Sequence, residues 1–184
     1  MKHAMEKMAA ISPFAVSLVG THVGGVPNFS LVTNLTVGDL GSHIVIGIGT
    51  KHHTWRGIQE NAAFSVNLPS TRSLSLVDAC ARQSGRDHDK AGLFTVFYGE
   101  LEHAPMIQEF PITMECRVCD IVPLETHAVI IGTVVQSFVE ENSEDEGFDP
   151  AAIDPILYCL DGNYYRLGPK LARVGEPGKR GAKS

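Results

Sequence analysis

Residues 44–54 read IVIGIGTKHHT, an apolar strand-like run that passes into a polar loop at the start of a predicted helix. A second polar segment, SGRDHDK at residues 84–90, follows another short helical stretch, and the strand-like FSVNL of residues 64–68 lies between the two. Hydroxyl and cationic side chains at a helix start act together with free backbone N–H groups and the helix dipole to favour an anion. The two segments therefore predict a site for the phosphate group of a cofactor.

Strand signals dominate the rest of the chain. Val, Ile, Thr and aromatic residues, which favour strands, are concentrated in nine segments. The predicted strands are residues 14–21, 28–36, 42–49, 64–68, 94–98, 112–122, 127–139, 156–160 and 164–167. Turn sequences, GGVP at residues 24–27 and DGN at 161–163, join two pairs of them as hairpins.

The predicted helices are few and short. They cover residues 54–61, 73–83 and 149–153, and Thr54 is a suitable N-cap for the first. Short strands without a regular alternation of strand and helix favour a β-barrel over a doubly wound sheet. We therefore predict a mainly β protein with a barrel architecture.

Composition limits the class of protein. The 184 residues, 43% of them hydrophobic, predict one domain over residues 1–171 and a flexible C-terminal tail over 172–184. A formal charge of −6 argues against nucleic acid as the partner. We find no secretory signal and no apolar run of the roughly 20 residues that would span a membrane, so we expect a cytoplasmic protein. The acidic residues 140–149 are interpreted as a solvated loop rather than a metal or partner site.

The cysteines and histidines do not form a recognisable metal or redox motif. Cys116 and Cys119 have the C-x-x-C spacing, but they lie in a predicted strand, where residues three apart point to opposite faces. A second C-x-x-C is missing, so we interpret the cysteines as structural and predict no metal site.

No protein-borne catalyst is evident either. The sequence has no G-x-S-x-G and no H-E-x-x-H, and the G-x-G at residues 47–49 lacks the third glycine of a dinucleotide fingerprint. Chemistry would then come from a bound cofactor, and no catalytic side chain is assigned. Lys51, Thr54 and Lys90 are the candidate hydrogen-bond donors to its phosphate.

A series of short motifs in a shared order extends over residues 13–168. They are PN at 27–28, K-x-x-T at 51–54, GIQEN at 57–61, FSVNLPS at 64–70, DAC at 78–80, SGR at 84–86, DK at 89–90, AP at 104–105, EC at 115–116, His127, DPILY at 154–158 and YYRLG at 164–168. In these motifs the chain resembles the flavin reductase-like family of FMN-binding split barrels, and within that family the flavoredoxin branch.

The resemblance implies a homodimer of Greek-key-like split barrels, each of which binds FMN without a covalent bond. It also implies which residues hold the phosphate end of the cofactor. Lys51, Thr54 and Lys90 occupy the positions of phosphate-binding residues, and Ser84 and Gly85 shape the neighbouring loop.

Other positions are implied to line the flavin end of the cofactor. Asn28 would contact the isoalloxazine or ribityl part, and Asn67 would approach the ribityl chain or the flavin edge. His127 and one of Tyr164 or Tyr165 also match cofactor-lining positions. Tyr164 and Tyr165 point to opposite faces of a strand, so one of them at most would face a given pocket.

Three functional hypotheses follow. The first is an FMN-dependent oxidoreductase that takes hydride from NADH or NADPH and passes electrons to an acceptor. The second is a flavoredoxin-type electron carrier that a protein partner reduces, without direct NAD(P)H activity. The third is a split-barrel protein that has lost FMN; it is suggested by Asn34, which stands where flavoredoxins often have tryptophan.

Overall fold

The computed structural model describes residues 3–4, 9, 11–39, 41–140 and 149–175. Within them the chain forms twelve strands and three α-helices. The strands are β1 Phe14–Ala15, β2 Ser17–Val23, β3 Val26–Val32, β4 Leu35–Val37, β5 His43–Gly49, β6 Ala63–Leu68, β7 Val96–Phe97, β8 Met106–Ile107, β9 Ile112–Pro123, β10 His127–Val139, β11 Ile156–Tyr158 and β12 Tyr164–Arg166. The helices are α1 His53–Asn61, α2 Leu74–Arg82 and α3 Pro150–Ile153.

Most predicted elements are confirmed, and the differences have local causes. The first two predicted strands are each divided, because residue 16 separates β1 from β2 and residues 33–34 separate β3 from β4. The two-residue strand β8 was not predicted. The predicted N-cap Thr54 is wrong: the cap position is His52, and the Thr54 hydroxyl instead accepts a hydrogen bond from the Asn28 side chain.

The main sheet is antiparallel and has the strand order β3-β2-β6-β9-β10-β5-β4. Its two edge strands, β3 and β4, are consecutive in sequence, and only Thr33 and Asn34 connect them. Two residues cannot span a flat seven-stranded sheet, because neighbouring strands lie roughly 4.8 Å apart. The sheet must therefore curl until its edges meet, and β3 contacts β5 across the gap.

Strand β2 separates two hydrophobic cores. Successive side chains of a strand point to opposite faces, so Val19 enters the core inside the curled sheet while Leu18 enters a second core. Strand β5 supplies Ile44, Ile46 and Ile48 to the first core, as its alternating sequence predicts.

Both longer helices pack against the β2–β3 hairpin. Helix α1 approaches β2 so closely that a Cβ at Gly57 would lie 2.2 Å from the His22 carbonyl oxygen, which only glycine avoids. Helix α2 buries Val77 and Cys80 in the second core. As a result, the start of α1 and the end of α2 meet beside β3.

The cysteines behave as the strand pattern predicts. Cys116 is buried and Cys119 is exposed, so the two thiols of the C-x-x-C segment diverge, and all four cysteines are free. Among the described residues, none of the helices has the length and apolar character to cross a membrane. Residues 141–148 of the acidic segment and 176–184 of the predicted tail lie outside the described residues. The interpretations of both segments, and the single-domain boundary, stay predictions.

Candidate functional site

A polar pocket of about 260 Å³ lies where the start of α1, the end of α2 and strand β3 meet. Three stretches that are far apart in sequence form its walls. Six of the ten predicted cofactor-binding residues line it, namely Asn28, Lys51, Thr54, Ser84, Gly85 and Lys90. The fold therefore brings both predicted phosphate-binding segments to one place.

Buried polar contacts form the floor of this pocket. The Asn28 amide nitrogen donates a hydrogen bond of 2.8 Å to the Thr54 hydroxyl, and both side chains are buried. Gly85 passes directly over Asn28, because a Cβ at Gly85 would lie 1.8 Å from the Asn28 amide oxygen. The absence of a side chain at Gly85 thus keeps this part of the pocket open.

Lys90 is buried, with 4% of its surface exposed. Its ammonium nitrogen donates a hydrogen bond of 2.9 Å to the Cys80 carbonyl oxygen near the end of α2, and burial lowers the pKa of the ammonium. An ammonium has three N–H donors, and within the described part of the chain this is the one bond it makes. Two donors are left beside the pocket, so the ammonium can still bind an anion.

One further cation and two imidazoles surround the pocket. The Arg86 guanidinium donates a hydrogen bond of 3.2 Å to the Lys51 carbonyl oxygen, which joins the two loops. His52 and His53 also line the pocket, and their pKa values are lowered, mainly by burial and then by neighbouring cations and imidazoles. A local charge excess of this kind in a chain of net charge −6 indicates an anion site.

Several lining residues were not selected from the sequence. They are Ser30, His52, His53, Cys80 and Arg86. His52, His53 and Arg86 lie inside the two polar segments, so their closeness in sequence to Lys51 and Lys90 could have identified them. Ser30 and Cys80 had no such signal, because only the packing of β3 and α2 brings them to the pocket.

Asn67 lies away from this pocket, in the wall of the barrel. Its amide nitrogen donates to the Leu18 carbonyl and to the Ser65 hydroxyl, each at 2.9 Å. Its amide oxygen accepts from the Ile107 backbone N–H at 2.9 Å. The side chain is fully buried and both of its polar atoms are engaged by the protein.

His127 lines a second, more open cavity of about 790 Å³. The walls of this cavity are mostly apolar. They also include Asn34 and Gly47, which are joined by a hydrogen bond from the Gly47 N–H to the Asn34 carbonyl. His127 is close enough to His52 to help lower the pKa of that imidazole. The lining of this cavity and the lining of the polar pocket therefore approach each other at His127 and His52.

Tyr164 and Tyr165 line neither cavity. The half-buried Tyr164 packs against the Tyr158 ring and donates to the Asp78 carboxylate at 3.4 Å. Tyr165 is exposed and donates to Asp161 at 2.5 Å. The two rings occupy opposite faces, as the strand pattern predicts.

The donor set of the polar pocket fits a phosphate ester. It combines a buried ammonium with spare donors, two hydroxyls at Thr54 and Ser84, and a loop made narrow by Gly85. Charged donors make the strongest hydrogen bonds to phosphate oxygens. The adjacent apolar cavity has the volume and lining typical of sites for small organic groups.

Comparisons with known proteins give a consistent result. The family model described as Flavin reductase like domain matches residues 8–168. The chain is similar to the solved structure of flavoredoxin from Methanosarcina acetivorans, with 31% identity, a TM-score of 0.92, and coverage of 98% of this chain and 99% of that chain. Flavoredoxin of Desulfovibrio vulgaris (Miyazaki F) is 26% identical, with a TM-score of 0.87 and coverage of 97% and 100%.

A third solved structure shares the fold. It is the FMN-binding protein from Thermus thermophilus with bound p-hydroxybenzaldehyde, 20% identical, with a TM-score of 0.79 and coverage of 94% of this chain and 97% of that chain. These similarities confirm the predicted fold, a mainly β split barrel with a few short helices.

Proposed function

The chain belongs to the flavin reductase-like family, and on that premise we propose that it binds FMN without a covalent bond and passes electrons from reduced nicotinamide through the flavin to an acceptor. The donor is NADH or NADPH in this proposal. FMN supplies the redox chemistry when it is bound, because its ring system accepts hydride and releases electrons.

The observation that carries the proposal is the convergence of three distant segments on one polar pocket. Residues from β3, from the start of α1 and from the loop after α2 line it together. An apolar cavity of a size that suits a planar ring system lies near the pocket, because Thr126 in its lining accepts a hydrogen bond from the N–H of Thr50, the residue before Lys51. A phosphate-bearing cofactor with an extended ring needs both features.

The residues of the polar pocket would hold the phosphate of FMN. Lys90 and Lys51 provide the positive charge, and the Thr54 and Ser84 hydroxyls provide further hydrogen bonds. Asn28 is fixed by its bond to Thr54, so its amide would orient the part of the cofactor that leaves the pocket.

The apolar cavity would enclose the ring system and exclude water. His127 and Asn34 lie on its wall, and Asn34 packs against Gly47, whose hypothetical Cβ would be 3.1 Å from the Asn34 side chain. An amide at residue 34 offers a polar edge rather than an aromatic face, so stacking on the flavin would depend on other residues.

A flavoredoxin-type electron carrier is the alternative function. Two of the similar solved structures are flavoredoxins, one of them 31% identical over nearly the whole chain. In this alternative a protein partner reduces the bound flavin, and NAD(P)H does not react with it directly.

We extend the proposal to assembly and location. A homodimer would cover the open apolar cavity, which β4, β5 and β10 present on the outside of the sheet. Four free cysteines are typical of a reducing compartment, which supports a cytoplasmic location. Light scattering of the purified protein at several concentrations tests the dimer, and a monomeric mass would contradict it.

The deciding experiment is an anaerobic visible spectrum of the protein with FMN during titration with NADPH and then NADH. Bleaching of the bound-flavin band would support the reductase and identify the preferred donor. A persistent band that only a protein reductant bleaches would support the electron carrier. Failure of the colourless protein to take up FMN would overturn both functions and leave the fold alone.

A further inference from the structure

We propose that His22 and His103 form a binding site for a divalent transition-metal ion such as Zn²⁺ near the end of helix α1, whereas the polar pocket lies at the start of that helix. The two Nδ1 atoms face each other at 3.3 Å. The site is independent of flavin binding, because neither histidine lines the polar pocket or the apolar cavity.

The distance between the nitrogens fits a shared metal ion. Two imidazole nitrogens that bind one tetrahedral ion at about 2.0–2.1 Å stand roughly 3.3 Å apart. The rings are inclined at 60° with centroids 5.2 Å apart, so they meet edge to edge rather than stack, which leaves the space between the two Nδ1 atoms free of ring carbons.

The backbone holds the pair in place from both sides. The His22 N–H donates to the His103 carbonyl at 3.3 Å, which ties β2 to the turn before β8. The His22 carbonyl accepts from the Asn61 side chain at 2.8 Å, at the end of α1. Two ligands fixed in this way lose little conformational freedom on binding, which favours chelation.

The outer nitrogen of His22 has the partner that a metal ligand requires. Its Nε2 lies 2.8 Å from the Tyr98 hydroxyl. When Nε2–H donates to this oxygen, the lone pair is left on Nδ1, the atom that faces His103. An oxygen acceptor on the far nitrogen is the usual support of a metal-bound histidine.

The surroundings suit a cation with water ligands. Both histidines are half-buried, so solvent can complete the coordination of an ion bound by two nitrogens. The Glu102 carboxylate is exposed beside them and acts electrostatically on His22. When His103 is the tautomer whose Nδ1–H donates to His22 Nδ1, metal binding moves that proton to His103 Nε2 or to solvent, which frees both Nδ1 lone pairs for the ion.

Binding is tested on the untagged wild-type protein by NMR of the histidine ring nitrogens during titration with ZnCl₂, with calorimetry in parallel. We expect Zn²⁺ to shift the Nδ1 resonances of His22 and His103 together and to saturate at one ion per chain for this pair. Unshifted resonances of these two rings would overturn the proposal, because they would show that the pair is a hydrogen bond alone.

Variants give a second, independent test. His22→Gln and His103→Gln should each weaken Zn²⁺ binding at this site by about tenfold or more, and Tyr98→Phe should weaken it by up to about tenfold. His43→Gln removes an exposed histidine that lies elsewhere, beside Asp39, and should leave the affinity unchanged. Equal affinity in all four variants would overturn the proposal. Circular dichroism confirms that each variant is folded.

Discussion

Asn67 and Lys90 are both removed from solvent, but the structure uses their polar atoms in opposite ways. Asn67 makes three hydrogen bonds: two connect β6 to β2 and to the backbone of β8, and the third binds the Ser65 hydroxyl within β6. Among the described residues Lys90 makes one, to the Cys80 carbonyl, and keeps two donors beside the polar pocket. The family resemblance implies a cofactor-binding role for both residues, so sequence alone does not separate them.

The number of engaged hydrogen-bonding atoms indicates a different role for each residue. A buried amide whose atoms are all engaged contributes to stability, because any change leaves its partners without hydrogen bonds. A buried ammonium with spare donors is costly to bury. Such a group is useful when an anion binds beside it. This contrast supports the proposal that Lys90 binds the phosphate, and we propose a structural role for Asn67.

The largest expected effect is the loss of stability in Asn67→Leu. This change leaves the Leu18 carbonyl and the Ile107 N–H buried without partners. At about 1–3 kcal/mol for each unsatisfied group, the free energy of unfolding should fall by roughly 2–5 kcal/mol. Urea unfolding measures it, with Asn163→Ala in an exposed turn as the control. Unchanged stability combined with loss of FMN binding would instead make Asn67 a cofactor contact.

The reverse pattern is expected for Lys90→Met. FMN affinity should fall by about 1.5–3 kcal/mol, since a charged hydrogen bond to phosphate is lost. The free energy of unfolding of the FMN-free protein should change by only about 1 kcal/mol or less, because the lost bond to Cys80 is offset by removal of a buried charge. Fluorescence titration with FMN measures the affinity. The exposed Lys170→Met is the control, and equal affinity in both variants would exclude Lys90 from the site.

Gly85→Ala tests whether the floor of the polar pocket contacts the cofactor, because it places a new side chain there. The new Cβ would collide with the Asn28 amide oxygen and displace that side chain from Thr54. We expect FMN affinity to fall by about 1–2 kcal/mol. Gly168→Ala is the matched control, because nothing lies within 4 Å of a Cβ there. If the two variants bind FMN equally, the pocket floor does not contact the cofactor.

The smallest expected effect is a pH dependence of the free energy of unfolding, caused by His52 in the polar pocket. Burial and nearby cations lower the pKa of His52 below its ordinary value of 6.5, so the folded protein favours the neutral imidazole. The unfolded chain then binds more protons, and stability falls as the pH drops from about 6.5 through the lowered pKa. Urea unfolding of FMN-free protein between pH 5 and pH 7.5 should show this slope, and His52→Gln should reduce it. An identical slope in the variant would contradict the assignment.

Prediction from sequence succeeded where the deciding pattern lies within a few residues. The alternation of Ile44, Ile46 and Ile48 predicts strand β5 and its buried face, and both are observed. Each polar segment concentrates its donors within a few residues, and the structure brings both segments into the lining of one pocket. That this pocket binds a phosphate stays a prediction. The two-residue strand β8 has no such pattern, which is why it was missed.

Prediction was weaker where a side chain finds its partner far along the chain. Asn67 bonds to residues 49 and 40 positions away, and His22 meets His103 across 81 positions. Thr54 was predicted as an N-cap because hydroxyls favour that position, but Asn28 of β3 engages the hydroxyl from another strand. These contacts depend on the order of the strands in the sheet, which residue propensity and hydrophobic periodicity do not determine.

The sequence by itself determined the mainly β class, the places of the two longer helices and the two segments that hold positive charge, because periodicity and turn preference act over a few neighbouring residues. Only the tertiary structure decided that those segments share one pocket, that Asn67 belongs to the wall while Lys90 faces the pocket, and that His22 meets His103. The physical reason is that a hydrogen bond depends on which atoms the curled sheet brings within about 3 Å. In this chain the edge strands β3 and β4, linked by two residues, require that curl.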